Sequence, residues 1–247
     1  MEEVLLNGGS IALIIGGIIL ASGFSRWRLV NLISKVSPNK IASIGEGLYE
    51  VEGQATTTLS QRTPFSKVPC SYYRVSVQRL RSSAQRNKGL GQWKTINRSS
   101  TASQTFCLED SSGSIEVLPS RARIFIDESW SQYFENASQC PAHIKEYMRQ
   151  HWIFSRTLLF FPRSLRFVEY AICPDDSVYA FGWCRCSADG KRSISRKYPF
   201  FGPPLILGRG TESSIEDEIK SGAQLGIWVG ALISALSLCA IVCGFLS

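Results

Sequence analysis

Histidine is nearly absent from the chain, with two residues in 247, and no two of the eight cysteines stand as C-x-x-C. Paired zinc ligands of the ribbon and finger type are therefore missing, and a Cys–His nucleophile pair has little to draw on. The sequence has no Walker loop, no G-x-G-x-x-G, no H-E-x-x-H and no G-x-S-x-G, so the phosphate cradles and hydrolase elbows those motifs build are excluded. Charged residues make up only 19% of the chain, against roughly a quarter in soluble proteins. Charge is missing altogether from residues 4–24 and 221–247, and acidic side chains are missing from the whole stretch 74–98.

The two uncharged ends are apolar, and a membrane span needs roughly 20 such residues to cross about 30 Å of hydrocarbon. Residues 221–245 meet that length. Residues 4–24 do so with a weaker start, because Asn7, Gly8, Gly9 and Ser10 dilute it. Ala21-Ser22-Gly23 would suit a signal-peptide cleavage site, but Glu2 and Glu3 precede the apolar run and Arg26 and Arg28 follow it. A secretory signal has the opposite polarity, which favours an uncleaved anchor. Arg26, Arg28, Lys35 and Lys40 in a basic juxtamembrane linker (25–40), with Lys220 before the second span, place the intervening loop in the cytoplasm and both termini outside. Gly222, Gly226, Gly230 and Ser234 recur every fourth residue, as do Gly8, Ala12 and Gly16. Such stripes let a second helix approach closely, either the other span or a second copy in a homo-oligomer.

Between the spans, 27 cations stand against 18 acids, a formal charge of +9. Residues 41–210 are enough to bury a sizeable core, and they read mainly as strands. Gly47-Leu-Tyr-Glu-Val-Glu-Gly53 alternates between glycines. In the 72–81 strand, Tyr73, Val75 and Val77 share one face, and Arg74, Ser76 and Gln78 the other. Thr105 to Leu108 and Ser114 to Leu118 flank Asp110-Ser-Ser-Gly113, a hairpin turn in which Gly can supply positive φ. Leu165 to Ile172 and Ser177 to Cys186, around Pro174-Asp-Asp176, read as a second hairpin. Pro141 to Trp152 has helical spacing with Ile144, Tyr147, Met148 and His151 on one side. Residues 211–220 form a short acidic lead-in helix with Ser at its N-cap. The expected class is thus an α+β membrane protein, two transmembrane helices flanking a β-rich, barrel- or sandwich-like domain with one or two short helices.

The strongest functional signal is electrostatic. Arg74, Arg79, Arg81, Arg86, Lys88, Lys94 and Arg98 follow one another without an acid, and Arg185, Lys191, Arg192, Arg196 and Lys197 form a second cluster. Basic groups near anionic headgroups gain about 1 kcal/mol each, so a tethered domain could use the first run as a membrane- or anion-contacting surface. An ordinary solvated strand face explains it equally well, and nucleic acid ranks below both. Trp152-Ile-Phe154, Leu158-Leu-Phe-Phe-Pro162 and the run from Tyr198 to Leu207 are apolar and read mostly as core, with Phe200 and Phe201 as an alternative contact with lipid or a partner. Cys184-Arg-Cys186 could reach zinc only with His143 or His151, so buried thiols are the preferred reading. No metal or cofactor is expected.

Ile44-Gly-Glu-Gly-Leu-Tyr-Glu-Val-Glu-Gly53, Pro69-Cys-Ser-Tyr-Tyr-Arg74, Leu108-Glu-Asp-Ser-Ser-Gly-Ser-Ile-Glu-Val-Leu-Pro119, Phe167-Val-Glu-Tyr-Ala-Ile172 with Pro174, and Val178-Tyr-Ala-Phe-Gly182 occur in this order. That series, set between two spans, resembles the GIDE-type domain of membrane-bound mitochondrial ubiquitin ligases and their prokaryotic relatives. The resemblance implies a β-rich domain bracketed by membrane helices. In the ligases a RING follows the second span and the loop faces the intermembrane space. Here no RING pattern of Cys and His appears, so catalysis is not expected to carry over, and the charges favour the cytoplasm. The expected role is a non-enzymatic scaffold that recognises a protein partner or anionic lipid at the bilayer surface. The alternatives are a ligase-like protein that needs a RING in trans and a ligand-gated membrane effector.

Overall fold

A computed structural model describes residues 2–36, 38–57, 61–80, 93–153, 164–198, 202–210 and 212–246. In chain order they form α1 (Glu2–Ile33), β1 (Gly47–Thr56), β2 (Tyr72–Leu80), β3 (Trp93–Ser100), β4 (Phe106–Asp110) and β5 (Gly113–Val117). Next come β6 (Arg123–Phe125), β7 (Trp130–Phe134), α2 (Ala142–Gln150), β8 (Leu165–Ile172), β9 (Ser177–Cys186), β10 (Arg192–Ser195), β11 (Ile206–Arg209) and α3 (Glu212–Leu246). Short 3₁₀ turns occupy Ile41–Ser43 and Ala137–Gln139. Two compact units result, one from Met1–Ser37 with Thr211–Ser247 and one from Pro38–Gly210.

In the first unit α1 and α3 pack on each other. Residues long and apolar enough to cross a membrane are Ser10–Ile33 and Ile219–Cys239. α1 itself continues past Arg26 and Arg28. Nothing between Phe24 and Ile33 breaks a helix, and Leu29, Val30 and Ile33 are buried. Half of the stretch read as a linker is therefore helical, and the acidic lead-in is continuous with the second apolar helix. The burial is inside out for a protein in water. Ile11, Ile14, Ile18, Leu225, Trp228, Leu232 and Leu236 are each at least 60% exposed, an apolar exterior suited to lipid.

The second unit holds two sheets. β1, β4, β5, β10 and β9 follow one another in that order, and β1 also pairs with β9, which closes a five-stranded barrel. Every pairing in the barrel is antiparallel except β5 with β10. That order is the Greek-key arrangement of OB-type barrels. β11 adds to the other edge of β9 below β10, and β6 pairs in parallel with β11. The core of the barrel is Val51, Ala55, Leu108, Ile115, Val117, Val178, Ala180, Cys184, Ile194, Leu205 and Leu207, with Ile41 and Ile44 from the preceding segment. β1 extends beyond Gly53 and changes partner there, from β9 to β4. A Cβ at Gly53 would sit 2.7 Å from the Glu109 carbonyl oxygen, so this barrel corner requires glycine.

The chain segments inserted between barrel strands build the second sheet, in the order β3-β2-β8-β7, all antiparallel. α2 lies on one of its faces. Ile144, Tyr147 and Met148 from the helix meet Val75, Val77, Phe134, Leu165 and Phe167 from the strands, with Phe65 among them. Two turns depart from expectation. Gly113 does not have positive φ; Asp110 instead holds the turn, its Oδ1 accepting from the Ser112 and Gly113 N–H groups and the Ser112 hydroxyl. β8 and β9 are not a hairpin but belong to different sheets. Asp175, at φ 68°, and Asp176, whose Oδ2 accepts from Cys173 N–H at 2.7 Å, turn the chain sharply. Backbone bonds from Ala55 to Asp176 and from Asp175 to Ala55 dock that turn on β1.

Candidate functional site

Alternation along β2 fixes what each basic side chain can reach. Val75 and Val77 point to α2, and Arg74, Ser76 and Gln78 to the opposite face. Arg74 stands opposite Tyr170 of β8, with its guanidinium 4.6 Å from the ring centroid, a cation–π contact. Arg98 of β3 lies opposite Ser76 on that same face. A bulge between Val77 and Gln78 then brings Arg79 opposite Lys94. Like charges in register are unfavourable within a sheet. Lys94 and Arg98 are exposed, and among the described residues neither they nor Arg79 has an ion pair. β3 is moreover an edge strand, where cations also guard against edge-to-edge pairing. Arg81, Arg86 and Lys88 lie outside the described residues.

The second basic cluster divides into separate roles. Arg192 donates to the carbonyls of Ile44 and Ala42 at 3.2 and 2.9 Å, tying the 3₁₀ turn to the barrel. Lys197 Nζ lies 3.3 Å from the Trp183 ring centroid, and Arg185 donates to the Lys197 carbonyl. Phe200 and Phe201 lie outside the described residues. The outward positions of β4 and β5, the face on which OB barrels take oligonucleotides, carry exposed Glu109 and Glu116. That face repels phosphate.

Three features escaped the reading of the sequence. Glu169, in the middle of β8, has no exposed surface. Its carboxylate accepts from the Phe65 and Ser66 N–H groups, while His143 of α2 hydrogen-bonds the Phe65 carbonyl at 2.9 Å. The Phe65 ring is thereby held edge-on to Tyr147 and Phe167, with centroids 4.8 and 5.2 Å away. The signal was available: Glu169 has the same parity as Leu165, Phe167 and Ala171, so alternation alone turns it inward. Asp110 is the second. Beyond its own turn it accepts from Ile41 N–H at 2.9 Å. Burial pushes its carboxyl up, but the hydrogen bonds from Ser112, Ile41 and Gly113 prevail and hold it below the usual carboxylate range.

Trp152 is the third and corrects its assignment to the core. It is 77% exposed, whereas the adjacent Ile153 is buried. α2 ends at Gln150, His151 caps it, and Trp152 follows in the left-handed region at φ 54°. Glycine is the usual occupant of that position, and a bulky side chain there costs about 1–2 kcal/mol.

Cys70, Cys140 and Cys184 are packed side chains. Burial pushes Cys70, Cys140 and Cys184 up to about 11, the opposite of an activated nucleophile or a metal-ready thiolate. Cys184 and Cys186 share one face of β9, Cys184 in the barrel core and Cys186 exposed at the strand end, and Cys186 adds to the upward shift of the Cys184 thiol. Among the described residues no group of three or more His, Cys, Asp or Glu side chains is placed to hold a metal ion.

In the helix pair, a Cβ on Gly230 would stand 2.6 Å from Leu20 N, and one on Gly16 2.6 Å from Ser234 Oγ. Gly226 faces the backbone of Gly23, and Arg26 lies over Gly222. The four-residue stripe of α3 is thus turned toward α1.

The family model described as GIDE, E3 ubiquitin ligase, matches residues 76–244, more than half of the chain. The match runs from β2 to α3 and takes in the motifs at 108–119, 167–172 and 178–182, while those at 44–53 and 69–74 precede it. No curated protein matches the chain.

Proposed function

The chain belongs to the GIDE family, an E3 ubiquitin ligase-related family, and we propose that it acts as a membrane-anchored, non-enzymatic binding domain whose basic strands β2 and β3 meet the anionic surface of a bilayer. The observation that carries this reading is the pair Lys94 and Arg98, exposed on an edge strand without ion pairs among the described residues. They belong to a domain preceded and followed by helices with lipid-suited exteriors. The basic residues at 26, 28, 35, 40 and 220 support a cytoplasmic domain with both termini outside. At about 1 kcal/mol per basic residue near anionic lipid, reversing two of them more than cancels their contribution.

The test is hydrogen exchange of the full chain in nanodiscs of zwitterionic or anionic lipid. Slower exchange at 93–100 in anionic discs, abolished by high salt and by Lys94→Glu with Arg98→Glu, is expected. Equal exchange in both lipids overturns the proposal. The family description favours a second reading, in which the domain serves ubiquitin transfer with a RING supplied by a partner. Transfer assays with and without RING proteins decide it, and no transfer in either removes it.

A further inference from the structure

Where the hydrocarbon ends along the helix pair follows from the register of the two helices. The backbone of Leu20 lies against Gly230 and that of Gly23 against Gly226, so each step along α1 is matched by a step back along α3. Arg28 is then level with Ser221, next to Lys220, and Ile33 with Glu216. Hydrocarbon reaching Ile33 would enclose Arg26, Arg28, Asp217, Glu218 and Lys220, and every charge placed there is costly. Burial changes at the same level. Toward the chain ends Ile14, Ile18, Phe24, Leu225, Trp228 and Leu232 are exposed, whereas on the other side Leu29, Val30, Ile33 and Ile219 are at most 5% exposed. Apolar side chains turned outward suit lipid, and apolar side chains turned inward suit water. About 20 residues of hydrocarbon counted back from Arg26, and on from its level in α3, give spans of about 6–25 and 223–242.

We propose that Arg26 and Arg28 of α1, with Lys220 of α3, form a collar that binds the phosphate groups of anionic lipid where the helix pair leaves the hydrocarbon. This rests on the membrane-anchored reading above. All three side chains are exposed, and among the described residues Arg26 and Arg28 have no ion pair. Two residues apart on a helix, the arginines project about 200° from each other, so they serve lipid on both sides of α1. Gly222 gives Arg26 its room, since a Cβ there would stand 2.7 Å from Arg26 Nη1. Guanidinium donors match phosphate oxygens in pairs. Trp27, between the two arginines, is 48% exposed, and tryptophan is the residue type enriched at the membrane–water boundary.

The experiment uses the full chain in detergent, where native mass spectrometry measures the binding of phosphatidylglycerol, phosphatidylcholine and inorganic phosphate. The parent should prefer phosphatidylglycerol to both. At about fivefold in affinity per basic residue, Arg26→Gln with Arg28→Gln should weaken that binding by about thirtyfold. Arg26→Lys with Arg28→Lys should keep most of it. Unchanged phosphatidylglycerol binding in the glutamine variant overturns the proposal, and free phosphate bound as tightly as the lipid assigns the cations to soluble anions instead. The depth is read from the chain labelled with fluorotryptophan in nanodiscs, with the fluorine lines of Trp27 and Trp228 identified by their loss in Trp27→Phe and Trp228→Phe. A spin label on the lipid headgroup should broaden the Trp27 line and one midway along the acyl chain the Trp228 line. A Trp27 line broadened by the acyl-chain label alone overturns the placement of the collar. Alkaline extraction of the same chain from vesicles separates the two levels. Release into the supernatant defeats membrane anchoring itself, whereas retention without a preference for phosphatidylglycerol defeats only this inference.

Discussion

Replacing Glu169 by alanine tests whether a buried carboxylate organises the helix-covered sheet. The side chain is fully buried on a central strand, and it accepts from two backbone N–H groups of the 61–70 segment. A hydrogen bond to a charged group contributes about 1.5–3 kcal/mol, and a buried donor left unpaired costs about 1–3 kcal/mol. Phe65 is buried and loses its partner outright, whereas Ser66 is partly exposed and recovers water. Removing the carboxylate also removes its own desolvation cost, so the net loss is about 3 kcal/mol. For a unit of this size that lowers the unfolding midpoint by about 6–12 °C. Glu169→Gln keeps the shape and one acceptor oxygen but turns an NH2 toward an N–H, and it should fall between the parent and alanine. Glu116→Ala, on the exposed face of β5, is the control, expected within about 0.5 kcal/mol. Thermal unfolding of the full chain in detergent, followed by near-ultraviolet circular dichroism, measures the shift. Hydrogen exchange at Phe65 and Ser66 reports the loop. A Glu169→Ala midpoint within 2 °C of the parent, or unchanged protection of those two amides, would refute the reasoning.

Further consequences can be measured in the same preparations. Asp110 has a lowered folded pKa, so its contribution is present above the unfolded value of about 3.9 and is lost as pH falls through the folded one. Asp110→Asn should cost about 1–2 kcal/mol at pH 7, after allowance for solvent screening. Its gap from the parent should close below about pH 4, as denaturant titrations at several pH values will show. Gly230→Ala places a methyl 2.6 Å from the Leu20 backbone, whereas a Cβ at Gly17 meets nothing within 4 Å. The first substitution should weaken α1–α3 cross-linking in membranes by about 1–2 kcal/mol and the second should not; equal effects would remove the seam as the cause. Cys186 should alkylate readily in the folded chain, while Cys70, Cys140 and Cys184 react only on unfolding. Mass spectrometry after brief labelling distinguishes them, and rapid reaction at Cys184 would contradict its place in the barrel core.

What was legible in the sequence is what depends on neighbours a few residues away. The faces of β2, the β4–β5 pair, the buried side of α2 and the two apolar ends all follow from local period or composition. Closure of the barrel does not, because β1 meets β9 across more than a hundred residues and β5 meets β10 in parallel. Nothing in the alternation of either strand names its partner. The failure at 174–176 has the same origin. Pro174-Asp-Asp176 looks like any tight turn, and only the partners of β8 and β9 reveal that it passes the chain between sheets. For the candidate site the division falls differently. Composition exposed the cations but not which of them remain without counter-ions. Arg74 is taken up by Tyr170 and Arg192 by two carbonyls, whereas Lys94 and Arg98 project from an edge strand. A charge count weights all of these alike. Pairing reduces the described part of the run to those two residues with Arg79. Because Lys94 stands opposite Arg79 and Arg98 opposite Ser76, the two project from opposite faces of β3. A flat anionic surface reaches both at once only along the open edge of that strand, which is why the proposal is tested by reversing the two together.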